Sequence, residues 1–259
     1  MKHKTLFLLP LLLTAAFVFN SYGYSQVKDV SGSAKKQIYE WRIFNLTGDG
    51  TVLDDYFKGA LIPAYARCNV SVGAFKPANA DEAAQRYLLF VYPDLQTYNK
   101  VRQDVWNDPV FQDAARSFFA TTAPNPVYSS FETYICEAFD KMPEMRTPDK
   151  SRTLFQYRNY YSPNEDANKR KIKMFNTEEI DLFDKVGINS VCYGEILSGT
   201  RMPALIYLTW YKDEETFKKA WSDFGAHPDW KQMSSKPEYR NTATNNIVKL
   251  LSPMPYSQF

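Results

Sequence analysis

The chain has 259 residues, of which 44% are hydrophobic and 23% charged. That is room for one large domain or two of common size, and too apolar for wholesale disorder. Lys and Arg number 31 against 29 Asp and Glu, and setting aside residues 1–25, with Lys2 and Lys4, leaves an even balance, which excludes a nucleic-acid partner or an anionic membrane recognised by bulk field.

The chain opens on Lys2, His3 and Lys4, followed by an apolar run, Leu6–Phe19, and small residues around Ser21-Tyr22-Gly23. This run is shorter than the roughly 20 residues a bilayer span takes. Residues 1–25 therefore read as an export signal that is removed, giving a periplasmic or extracellular protein with no integral membrane segment afterwards. Residues 26–36 read as a flexible leader.

The first unit, residues 37–140, opens with a strand at Ile38–Phe44 that alternates Tyr39, Trp41 and Ile43 with Glu40, Arg42 and Phe44. Leu53, Tyr56, Phe57, Ala60, Leu61 and Ala64 then follow helical spacing, and Pro63 is expected to end or kink that helix. Strands are expected at Val70–Phe75, Arg86–Tyr92 and Phe131–Phe139, with a helix capped by Asp94 after the third strand. Residues 141–150 carry two prolines and several charges and read as a linker.

The second unit, residues 151–259, repeats the plan. Strands are expected at Leu154–Tyr160, Ser190–Leu197, Ala204–Tyr211 and Ile247–Leu251. One helical region runs from about Asn168 to Val186, ended by Gly187, and a helix capped by Asp213 is broken at His227-Pro228. The basic run Lys169-Arg170-Lys171 with Lys173, close to Glu178, Glu179 and Asp181, reads as a solvated helix face.

The two units echo each other. Tyr92, Asp94, Thr97, Lys100, Asp104 and Pro109 recur 119 residues later as Tyr211, Asp213, Thr216, Lys219, Asp223 and Pro228. Such self-similarity marks a repeated supersecondary unit. In each the order is strand, helix, strand, strand, helix, strand, so the fold class is α+β: two tandem ferredoxin-like, split βαβ units.

Tyr39-Glu40-Trp41-Arg42 and Val72-Gly73-Ala74-Phe75, with Gly187–Glu195, Gly199-Thr200-Arg201-Met202-Pro203, Pro228-Asp229-Trp230 and Pro255-Tyr256-Ser257-Gln258, resemble the NIPSNAP family in its two-domain bacterial form. The resemblance covers about residues 37–259. It implies sheets of the dimeric α+β barrel type, packed face to face around a cavity. The barrel would form between the two halves, as an intramolecular pseudo-dimer, or in a homodimer. Relatives in the wider superfamily include cofactor-free monooxygenases and haem enzymes, but the family itself implies no established catalytic residues.

If the apolar face of each first strand meets the helices, the other row lines the barrel: Glu40 and Arg42 in one unit, Gln156, Arg158 and Tyr160 in the other. A buried arginine needs a partner and grips a carboxylate well, so this row, with Tyr207 and His227, forms the candidate ligand-binding set. Pairing of Glu40 and Arg42 across the barrel interface is the structural alternative, and capping before Pro228 is that for His227. Three scattered cysteines, Cys68, Cys136 and Cys192, and one histidine after residue 25 suit neither a disulfide framework nor a His/Cys zinc site. No glycine-rich phosphate loop or Gly-x-Ser-x-Gly elbow occurs, and no cofactor or metal is expected. The expected function is binding of a small, partly apolar ligand in the barrel cavity. The alternatives are a structural or interaction module whose barrel is filled by its own side chains, and a cofactor-independent oxygenase or isomerase using His227, Glu40 or Glu195 as base.

Overall fold

Eight alternating segments become eight strands, and they close on one another. The computed structural model describes residues 35–82, 84–121 and 125–259. The signal peptide expected at residues 1–25 lies outside the described residues, as does most of the leader at 26–36. Strands β1 (Ile38–Leu46), β2 (Ser71–Pro77), β3 (Gln85–Tyr92), β4 (Tyr128–Ala138), β5 (Leu154–Tyr161), β6 (Asn189–Ser198), β7 (Ala204–Tyr211) and β8 (Asn246–Pro253) form a closed barrel in the order β1-β3-β2-β8-β5-β7-β6-β4. Every neighbouring pair is antiparallel. The first four strands contribute the run β4-β1-β3-β2 and the last four the matching run β8-β5-β7-β6. Closure joins the two ends of the sheet and so shortens the edges open to pairing, although β4 meets β6 only over Ile135–Ala138.

Two seams join the halves. At one, Phe75, Lys76 and Pro77 face Pro253, Ser252 and Leu251; at the other, β4 meets β6 with a register shift between Ile135 and Cys136. The first seam is short, and the C-terminal tail prolongs it. The Met254 and Gln258 N–H groups donate to the Ala74 and Val72 carbonyls at 2.8 and 3.1 Å. In return the Val72 N–H donates to Gln258 Oε1 at 2.6 Å and the Ala74 N–H to Ser257 Oγ at 2.9 Å. Phe259 then enters the end of the barrel, 4% exposed. A Cβ on Gly73 would stand 2.5 Å from the Phe259 ring, so this position admits only glycine without displacement.

The helices cover the outer faces of the sheets. In the first half α1 (Thr51–Tyr56) passes through a π-helical turn (Phe57–Leu61) into α2 (Ile62–Arg67). Pro63 does not end this helix. It falls in the first turn of α2, just after the π turn, where the hydrogen-bond register changes and a missing N–H costs least. Helices α3 (Leu95–Asn107), α4 (Pro109–Ala114) and α5 (Arg116–Phe119) follow β3. In the second half α6 (Glu165–Met174) runs through its own π turn (Phe175–Glu179) into α7 (Ile180–Val186), and α8 (Glu214–Ala226) and α9 (Pro228–Ser235) follow β7. Helix α6 begins earlier than the spacing suggests because the Asn164 side chain caps it through the Ala167 N–H. No helix among the described residues is long and apolar enough to cross a membrane.

The strand phase is the reverse of that expected. Tyr39, Trp41, Phe75, Tyr87, Phe155 and Tyr157 point into the barrel, within one buried cluster drawn from all eight strands. Trp41 meets Tyr157 edge-on at 5.0 Å between centroids, and Phe75 meets Phe155 at 4.9 Å, the geometry that aromatic quadrupoles favour. An eight-stranded barrel is just wide enough for side chains to fill, and here they do so. The space expected to hold a ligand between the sheets is therefore occupied. The row Glu40, Arg42, Gln156, Arg158 and Tyr160 lies on the outer faces instead, beneath the helices. The physical reason is volume: rings close the interior, while long polar side chains reach hydroxyl and ionic partners offered by the helices and the neighbouring strands.

Candidate functional site

In the first half the polar row is self-contained. Arg42 donates from Nε to Glu40 Oε1 at 2.7 Å and from Nη2 to the Tyr65 hydroxyl at 3.0 Å. Its guanidinium lies 4.3 Å from the centre of the Phe90 ring. The Tyr92 hydroxyl donates to Glu40 Oε2 at 2.6 Å. Burial weighs against the charge of Arg42, but Glu40 and Tyr65 outweigh it and hold the guanidinium well above its usual pKa. Acid, base and phenols satisfy one another, and this set is structural.

The second half keeps the arginine and loses the acid, since Gln156 stands where β1 carries Glu40. Arg158 donates from Nη1 to the hydroxyls of Tyr160 and Tyr207 and stacks 4.0 Å from the centre of the Trp221 ring. No carboxylate among the described residues forms an ion pair with it. Its Nε is buried without a partner, as is Oε1 of Gln156. The Tyr160 and Tyr207 hydroxyls lie 3.0 Å apart. Burial pushes the Tyr207 phenol well up, so it stays protonated and offers no charge to the arginine.

Beside Arg158 opens a cleft of about 450 Å3, lined among others by Tyr160, Lys171, Glu179, Trp221 and Trp230. Lys171 Nζ donates to Glu179 Oε2 at 2.7 Å, and the two side chains are only 8% and 4% exposed. The ammonium also lies 4.6 Å from the centre of the Phe175 ring. Local structure explains this pair. A π turn is wider than an α turn, so Phe175–Glu179 brings Glu179 back to the face of Lys171, eight positions earlier. With two cations against one carboxylate, the cleft carries one positive charge in excess.

Of the residues singled out in the sequence, Arg158, Tyr160 and Tyr207 come together here, and Gln156 is buried on the same strand face. Glu40 and Arg42 form their own network in the other half. His227 does not reach the cleft; its Nδ1 accepts the Asp229 N–H at 3.1 Å and so caps α9. Lys171, Glu179 and Trp221 were missed. Lys169, Arg170 and Lys173 do make solvated ion pairs, with Glu195, Asp166 and Glu238, but Lys171 is turned inward. The signal was present in its spacing, because Ala167, Asn168, Lys171 and Ile172 form the buried stripe of α6.

Comparison with known proteins agrees with this architecture. Residues 155–258 match the model of the NIPSNAP family. No curated protein matches the chain. Among solved structures, a candidate monooxygenase from Fusobacterium nucleatum is similar over 84% of this chain and 92% of its own, with a TM-score of 0.54 and 10% identity. An anthrone oxidase-like protein is similar over 86% of this chain and 93% of its own, with a TM-score of 0.54 and 8% identity. A NIPSNAP family protein of unknown function from Agrobacterium tumefaciens is similar over 42% of this chain and 96% of its own, at 15% identity and a TM-score of 0.38. The neighbours with higher scores show the fold alone: a mixed helix and strand protein built on an antiparallel sheet.

Proposed function

We propose, with a NIPSNAP domain at residues 155–258 as the premise, that this protein binds a small, partly apolar anion in the cleft beneath α6, α8 and α9. The filled barrel acts as its rigid support. The observation that carries this reading is Arg158, whose Nε is buried without a hydrogen-bond partner, which has no carboxylate partner among the described residues, and which borders an open cleft with aromatic walls. A charge in that position is costly unless something pairs with it, and pockets that combine apolar walls with a few convergent polar groups are the usual seats of small ligands. Residues 37–140 and 151–259 are read as tandem ferredoxin-like units, a reading supported by their matching strand orders. Closure within one chain supports the pseudo-dimer over pairing of each half with a second copy. Export, with cleavage near residue 25, belongs to the same proposal, and N-terminal sequencing of the protein recovered from its own compartment tests it.

The experiment for binding is mass spectrometry of small molecules released from protein purified natively, followed by titration of the intrinsic fluorescence with what is found. A released anion that perturbs the emission, and does so far less in Arg158→Ala, is the expected result. Recovery of no ligand, with no response to any anion tried, would favour a structural module, the reading to which the side-chain-filled barrel lends its weight. The oxygenase reading draws less support. Glu40 is held by Arg42, Glu195 by Lys169, and His227 caps a helix, so none of these three bases faces the cleft.

A further inference from the structure

We infer that the ligand of this cleft presents a single carboxylate to Arg158, joined to a flat aromatic body. The inference rests on the reading of the cleft as a ligand site and names the chemistry that site would select. Its warrant is internal, because the chain contains the same strand motif twice and solves it in two ways. Tyr39-Glu40-Trp41-Arg42 of β1 corresponds to Phe155-Gln156-Tyr157-Arg158 of β5. In both, the aromatic pair turns into the barrel and the polar pair turns out beneath the helices.

On Arg42 the edge of the guanidinium formed by Nε and Nη2 is fully used, by the Glu40 carboxylate and the Tyr65 hydroxyl. On Arg158 the protein uses only Nη1, for the two phenols. The Nε–Nη2 edge has no hydrogen-bond partner among the described residues, and it is one of the edges a carboxylate can engage with two parallel bonds. Replacement of an acid by its amide at position 156 thus removes the one carboxylate that the fold shows it can place against this arginine. An incoming carboxylate would restore that arrangement.

Charge and shape narrow the class. Glu179 already answers Lys171 at 2.7 Å, so the excess is one positive charge, which a monoanion balances and a phosphate dianion overshoots. The walls are rings: Trp221 on the face of Arg158, and Phe224 packed 4.4 Å from Trp230. Such walls favour a flat, polarisable body over a flexible chain or a sugar.

The test compares benzoate with benzamide, which share ring and size but differ in charge, by calorimetry and tryptophan fluorescence on the wild-type protein. Benzoate is expected to bind at least tenfold more tightly. Gln156→Glu rebuilds the internal pair of the first half, and should weaken benzoate at least tenfold while leaving benzamide unchanged. Arg158→Lys keeps the charge but removes the two-pronged edge. It should also weaken benzoate, which keeps the test open if the first variant folds poorly by circular dichroism. Glu40→Gln, in the other half, should leave benzoate binding as it was. Equal affinity for the two probes, or a benzoate preference indifferent to both Gln156→Glu and Arg158→Lys, would overturn the carboxylate assignment while leaving a site for neutral or differently held ligands. Equal loss of benzoate binding in a Glu40→Gln variant that keeps the wild-type circular dichroism and melting temperature would overturn it as well. Failure of both probes and of larger ring carboxylates to perturb Trp221 and Trp230 would overturn the cleft reading itself.

Discussion

Glu179→Gln should be among the most destabilising single changes in the second half, although it alters one atom. The carboxylate is 4% exposed and its partner Lys171 is 8% exposed, so the substitution leaves an ammonium buried beside Arg158 with no anion at hand. Removing one member of a buried pair costs about 3–5 kcal/mol. For a domain of this size each kcal/mol lowers the melting temperature by about 2–4 °C, so a fall of about 6–20 °C is expected. Replacing both members, as Lys171→Met with Glu179→Leu, removes the charge problem and should bring stability back to within about 2 kcal/mol of wild type, since apolar substitutes for buried pairs are often neutral or better. Urea unfolding followed by tryptophan fluorescence measures both. A loss under 1 kcal/mol in Glu179→Gln, or a double variant less stable than that single one, would refute the claim that the pair is buried and mutually dependent.

Three further outcomes are expected. Phe259→Ala should cost about 3–5 kcal/mol, as for a large ring removed from a core, because Phe259 closes the barrel beside Gly73 and Phe75; thermal melts detect it, and an unchanged melting temperature would show that the tail does not hold the seam. Trp41→Ala should cost a similar amount by opening a void against Tyr157 and Phe75. Acid should act through the helix caps: the bond from Lys35 and the Thr97 N–H hold the Asp94 carboxyl down at about 2. Its contribution is complete above the unfolded value near 4 and is lost as pH falls towards 2, so Asp94→Asn should be less stable at neutral pH and show a flatter acid limb in that window.

Strand existence and order were legible because alternation and helical spacing are short-range signals, and the echo at a constant offset showed that each half obeys one plan. What the residues could not convey was which face of each strand looks inward. Tyr39 and Trp41 would serve equally well against helices, and Glu40 with Arg42 would serve equally well in a polar hollow. The choice depends on what the helices bring, and Tyr65 of α2 supplies the hydroxyl that Arg42 needs. Pro63 marks the change of helix register and not the end of the helix, since a π turn is a property of backbone register and leaves little trace in composition. Half of the candidate set was visible, namely Arg158, Tyr160 and Tyr207. Lys171 was hidden because a basic run looks solvated until the stripe of its helix is phased, and Glu179 was hidden because only the π turn brings it round. Trp221 gave no sign beyond its place on the buried face of α8, where it rests against Phe183 and Phe224.

Because both seams join strands of a single polypeptide, the two halves answer to separate codons. In a barrel assembled from identical subunits, any change at the first-strand acid would appear on both sides at once, and a stabilising contact could not be given up in one place while being retained in the other. Here Glu40 can go on securing its own sheet while position 156 is free to vary. Asymmetry of that kind is what the proposed reading requires: one side of the barrel can stay scaffold while the other holds a ligand, with both sheets encoded in one chain.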